Sequence, residues 1–147
     1  MVNFDPFDDE TGWALVAGER HGVLATTHPE RGVDAVPVVY GLLAGRRIVV
    51  PVDTVKPKRR TSLQRLANLE RDARCVLLVD HYEDDWTRLW WVRIHATAER
   101  SPLTAEAADA LADRYPLYRE PATIVTTLVL TPTAAVGWAA RRLTPGC

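Results

Sequence analysis

Apolar and polar positions alternate along much of this chain, and clusters of turn residues interrupt the alternation. Gly22 to Thr27 (GVLATT), Val33 to Leu42 (VDAVPVVYGL) and Arg47 to Val52 (RIVVPV) predict three consecutive strands. The first two form a hairpin across His28-Pro-Glu-Arg-Gly32. Pro37 and Pro51 cannot donate to a ladder, so their positions are expected at edges or bulges. Arg74 to Tyr82 and Leu89 to Glu99 predict two longer strands, with the acidic stretch EDDWT between them. In the second of these, Trp90, Val92, Ile94 and Ala96 share one face, and Trp91, Arg93, His95 and Thr97 the other. Thr123 to Leu130 and Ala134 to Ala139 predict two last strands around a turn at Thr131-Pro132-Thr133.

Helical spacing appears in three places. Asp8 or Asp9 can cap a short helix carrying Trp13, Ala14, Val16 and Ala17, ended by Gly18 or by the turn before Gly22. From about Thr61 to Glu70, Leu63, Leu66 and Ala67 fall on one face and Arg65 on the opposite side, facing solvent or a partner. Thr104 to Tyr115 repeats Ala107, Ala108, Leu111 and Tyr115, and Pro116 helps end it. About seven strands and three helices, with many short turns, favour a mainly β (α+β) fold. The expected architecture is an antiparallel sheet closed as a barrel, not a doubly wound parallel one. Neither GxGxxG nor GxxxxGK[ST] occurs, which sets aside dinucleotide and P-loop readings.

A chain of 147 residues, 47% of them hydrophobic, suits a single domain over residues 1–147. Its net charge of -1 gives no global attraction for nucleic acid. The start MVNFDPFDDE is acidic and no window of eighteen apolar residues exists, so neither export nor a membrane span is expected. Cys75 and Cys147 suggest neither a disulfide framework nor zinc, and fit a reducing cytoplasm. The histidines at 21, 28, 81 and 95 have no ligand spacing, and no serine lies in a GxSxG elbow, so zinc and serine-hydrolase chemistry lack support. Five tryptophans are many for this length; they suit core packing or a subunit contact, and Trp91 and Trp138 equally suit the wall of a planar-ligand site.

Charge is concentrated locally. Lys56, Lys58, Arg59 and Arg60 crowd one turn between a strand and a helix, and Thr61 or Ser62 can cap that helix. Cationic side chains, hydroxyls and free backbone N–H groups gathered there suit a phosphate or polyanionic tail; a solvated basic turn is the plain alternative.

The segments HGVLATTHPERGVDAVPVVY, RRIVVPVDTVKPKRRTSLQRLANLERDARCVLLVD, LWWVRIHATAER and LVLTPTAAVGW, in that order, resemble the pyridoxamine-5'-phosphate-oxidase-like split β-barrel superfamily. The chain is most similar to the actinobacterial branch that uses the deazaflavin coenzyme F420. The resemblance implies a split barrel that forms a homodimer, with cofactor sites along the subunit interface. It places Val36, Pro37, Val38, Val50, Pro51 and Val52 beside the tricyclic ring. It assigns the cofactor phosphate to Lys56, Lys58, Arg59 and Thr61 or Ser62, matches Asn68 to a helix-end asparagine, and matches Trp138 to a tryptophan that closes the pocket. Lys-Pro-Lys-Arg-Arg replaces the family's Arg-x-Lys spacing, and no Arg-x-His ending follows Trp138, which counts against pyridoxamine phosphate as substrate.

The activity implied is F420-dependent hydride transfer to a conjugated organic substrate, with the cofactor supplying the reactive carbon. FMN is the alternative cofactor, and a carrier of cofactor or tetrapyrrole the alternative of another class. Tyr40, His81 or water remain open as proton donor.

Overall fold

A computed structural model describes residues 4–5, 9–53 and 60–141. Strands β2 (Gly22–His28) and β3 (Gly32–Val38) form the expected hairpin, paired from Gly22↔Val38 to His28↔Gly32. β4 (Gly41–Leu43) and β5 (Arg47–Asp53) form a second, tight one. β6 (Arg74–His81), β7 (Trp90–Ser101) and β8 (Ile124–Ala139) complete the sheet, in the order β3-β2-β6-β7-β8-β5-β4. A two-residue strand, β1 (Phe4–Asp5), adds to β8 in parallel. Three helices, α1 (Asp9–Gly18), α2 (Arg60–Arg71) and α3 (Ala105–Arg114), interrupt the strands. Among the described residues no helix is long and apolar enough to cross a membrane.

Alternation puts one face of every long strand into a common core. Leu24 of β2, Val50 of β5, Leu77 of β6, Ile94 of β7 and Leu130 of β8 belong to one buried cluster with Trp13 and Val16 of α1 and Leu66 and Leu69 of α2. β2 and β5 stand toward opposite ends of the strand order yet share this core, so the sheet coils into the expected barrel. A second cluster packs Ala107 and Leu111 of α3 and Tyr118 of the following turn against Leu43, Val49 and Ile124.

The structure departs from the expected elements in three places. The predicted run Val33 to Leu42 breaks at Val39 and Tyr40 into β3 and β4, which lie at the two ends of the sheet. Fully buried Tyr40, whose hydroxyl donates to the Val16 carbonyl, pins that corner. The two expected last strands are one sixteen-residue strand, β8. Its Thr131-Pro132-Thr133 segment is a register shift opposite His95 and Ala96, where a proline is tolerated, rather than a turn. In α2, Leu66, Asn68 and Leu69 are buried while Ala67 is exposed, and Arg65 is partly buried rather than on the far side.

The prolines sit where their missing donors predict. Pro37 lies on the edge strand β3. Pro51 faces Thr127 of β8, beyond the end of β4 and next to a register shift between Val52 and Asp53.

Candidate functional site: a groove between β3 and α2

Asn68 is the hub that joins α2 to the hairpin. It is 1% exposed, accepts from Gln64 Nε2 at 2.9 Å, and donates to Thr26 Oγ1 at 3.0 Å and to Asp34 Oδ2 at 2.9 Å. Asp34 in turn takes both arms of Arg31, at 3.0 and 2.9 Å. Arg31 first and Asn68 next hold the Asp34 carboxyl down to about 2, well below its ordinary range. These links clamp α2 over β2 and β3 through Asn68 and leave a groove of about 470 Å³ between them. Ala35 and Val36 form its apolar wall; Thr26, Arg31, Asp34, Gln64 and Arg65 form its polar one.

Arg65 is the unusual member. Its Nε is buried without a hydrogen-bond partner, and no hydrogen bond joins its guanidinium to another described residue. Burial lowers its hold on the proton, and Asp53 and Tyr118 act in the opposite direction, Asp53 more strongly. A desolvated guanidinium with free donors on a groove wall is a ready receptor for an anionic ligand group.

The expected site residues scatter relative to this groove. Val36 lines it, Pro37 beside it is exposed, and Val38 is buried in the core. Val50, Pro51 and Val52 are also buried, Val50 and Val52 in the barrel core. Asn68 forms the groove's support. Thr61 and Ser62 lie in the first turn of α2, directly before Gln64 and Arg65. Lys56, Lys58 and Arg59 lie outside the described residues.

Trp138 stands apart from the groove. Val36 belongs to the cross-strand row Val36, Leu24, Leu77, Ile94, Ala135, and Trp138 lies three residues farther along β8, opposite Trp91 and 41% exposed. One chain therefore does not bring Trp138 to Val36.

Of the proton-donor candidates, Tyr40 is buried and bonded to Val16, and His81 Nε2 contacts the Glu83 carboxylate. Among the described residues no cluster of His, Cys, Asp or Glu could hold a metal. Burial pushes the free Cys75 thiol up to about 12, which keeps it unreactive.

Arg65 is the residue that sequence reasoning misplaced. At about 100° per residue it falls on the helix surface between Leu69 and Asn68. With an apolar-only stripe it points outward; once Asn68 counts as buried, Arg65 lies inside the buried arc.

No protein-family model matches the chain, and no curated protein matches it by sequence. Solved structures do match the fold. A conserved hypothetical protein from Mycobacterium tuberculosis is similar at a TM-score of 0.73 and 18% identity, over 96% of this chain and 93% of that one. An FAD-binding protein from Mesorhizobium loti is similar at 0.65 and 12% identity, over 89% and 94%. An FAD-binding protein from Mycobacterium smegmatis is similar at 0.62 and 15%, over 90% and 94%. The chain thus has the split β-barrel architecture found among flavin-binding proteins.

Proposed function

We propose that this protein is an oxidoreductase that holds coenzyme F420 in the groove between β3 and α2. The observation that carries the reading is Arg65: a partly buried guanidinium with an unpartnered Nε, on a groove whose opposite wall is Ala35 and Val36. An anionic group fits the polar wall and a flat conjugated ring fits the apolar one. The residues present therefore fit a deazaflavin or a flavin. Lys56, Lys58, Arg59, Thr61 and Ser62, with Arg60, come just before Arg65 in the chain and would extend the anion-binding surface.

The bound cofactor would supply hydride transfer; the protein's own task is binding, orientation and exclusion of water. Arg65 would fix the anionic end, the Val36 wall would position the ring, and the Asn68 hub would keep the groove open. Asp34, already paired with Arg31 and Asn68, presents little free negative charge to an incoming anion. The resemblance to the F420 branch and the density of cations from Lys56 to Arg60 favour F420 over FMN, since F420 carries the longer anionic tail.

The test is a parallel fluorescence titration with F420 and FMN at increasing salt. F420 is expected to bind roughly tenfold to a hundredfold more tightly at low salt, from two or three extra pairings of about 1 kcal/mol or less, with a margin that shrinks as salt rises. Tighter binding of FMN transfers the same site to a flavin. Binding of F420 without turnover of any oxidised acceptor makes the protein a carrier.

A further inference from the structure

The charge of one carboxylate acts on Arg65 without bonding to it. Asp53 ends β5 at the register shift between Val52↔Thr126 and Asp53↔Ile124, a place where a bulge re-aims a side chain. Its charge acts on Arg65, yet no hydrogen bond or ion pair joins the two, and the Arg65 Nε stays buried and unpartnered. A partly buried arginine next to a carboxylate ordinarily closes the pair, because two planar groups then satisfy one another with charge-assisted hydrogen bonds.

The Asp53 carboxylate is engaged elsewhere. Tyr118, 5% exposed in the short helical turn Pro116–Arg119, donates its hydroxyl to Asp53 Oδ2. That ring is fixed in its turn. It packs edge-on against Tyr115 with centroids 5.8 Å apart, and it belongs to the cluster of Leu43, Val49, Leu111 and Ile124. The phenol therefore has little freedom to follow Asp53 if the carboxylate moves.

We propose that Tyr118 is a positioning residue that holds Asp53 away from Arg65 and so keeps the guanidinium free for a ligand anion. The proposal rests on the reading of Arg65 as anion-facing. Asp53 gives charge compensation through space without occupying the donors that the groove needs. Without the Tyr118 hydroxyl, the carboxylate would lose its partner and be free to turn toward the Arg65 donors, on which its charge already acts.

This arrangement fixes the signs of a mutant cycle. Tyr118→Phe should weaken anion binding, because the freed Asp53 would compete for Arg65. Asp53→Asn should not weaken it and should strengthen it, because the competing charge is gone. In the double variant the tyrosine no longer matters. A role for Tyr118 in packing alone would lower binding equally with and without the Asp53 charge.

The experiment follows the Arg65 Nε–H signal, assigned by its loss in Arg65→Lys, during titration of the full chain with inorganic pyrophosphate. Thermal unfolding of each variant is recorded alongside. The expected result is weakening of roughly tenfold in Tyr118→Phe, the loss of about one charge-assisted contact. Asp53→Asn and the double variant are expected to bind at least as tightly as the wild type. Equal weakening by Tyr118→Phe in both backgrounds, or weaker binding in Asp53→Asn alone, overturns the proposal, and the second needs no Tyr118 variant to fold. An Arg65 signal that pyrophosphate leaves unmoved in the wild type overturns it too. The cofactor titration can fail without moving this readout, so the two readings stand or fall separately.

Discussion

At the scale of the residue, Asn68 and Asp34 set what the groove can do. Asn68→Ala leaves the Thr26 and Gln64 groups short of a buried partner, and the expected loss is about 2 kcal/mol by urea unfolding. Asp34 predicts a pH dependence. Its folded pKa, about 2, lies below the ordinary carboxylate value, so its stabilisation is fully present above roughly pH 4 and is lost as pH falls toward 2. A series of Tm values between pH 5 and pH 2 should fall less steeply in Asp34→Asn than in the wild type; equal slopes would show that Asp34 is not part of the acid limb. Little of this was legible in the sequence. Asn68 entered by resemblance, and nothing in the order of residues shows that Asp34 of one hairpin arm meets an asparagine of a later helix. Arg65 was read outward because hydrophobicity alone defines a stripe, and a buried polar hub widens it.

At the scale of the element, alternation and turn residues located the strands well, and local rules failed where tertiary partners decide. The break at Tyr40 follows from burial of that side chain, whose hydroxyl reaches Val16 of α1 across 24 residues and whose ring lies under the Arg114 guanidinium of α3, partners that no window around Tyr40 contains. The uninterrupted β8 follows from pairing along its length with β7, which overrides the turn preference of Thr-Pro-Thr by absorbing it as a bulge. β2 offers the sharpest test of packing between elements. A Cβ added at Gly22 would lie 2.8 Å from the Leu78 carbonyl oxygen and 3.1 Å from side-chain atoms of Leu77 and Val79. The carbonyl belongs to the neighbouring strand and cannot yield without parting β2 from β6. Gly22→Ala is therefore expected to destabilise by about 1–3 kcal/mol, whereas Gly18→Ala, with nothing within 4 Å of the added carbon, should lose far less in the same unfolding assay.

At the scale of the whole molecule, the barrel has one outer face that its own helices leave open. Val33 is 64% exposed, Leu78 37% and Trp138 41%, and Trp91 stands opposite Trp138. They share that face of the sheet with Val76, Thr97 and Arg74, which line a second groove of about 540 Å³ with Ala25 and His95. Large apolar side chains spread over one sheet face suit the isologous contact of a twofold dimer. The resemblance implies such a homodimer, and it would offer a route for Trp138, remote from Val36 within its own chain, to reach the groove of a partner. The expected outcome is a dimer in sedimentation at low micromolar concentration. Trp138→Ala should weaken that dimer and, if Trp138 closes the partner's pocket, lower cofactor affinity even at protein concentrations where the dimer persists. Val125→Ala, a change at a residue 58% exposed at the register shift of β8 beside Asp53, serves as a control that should leave the dimer unchanged. A wild-type sedimentation coefficient of a 16.4 kDa particle at every concentration would remove the partner from the site and confine cofactor binding to the groove that one chain builds.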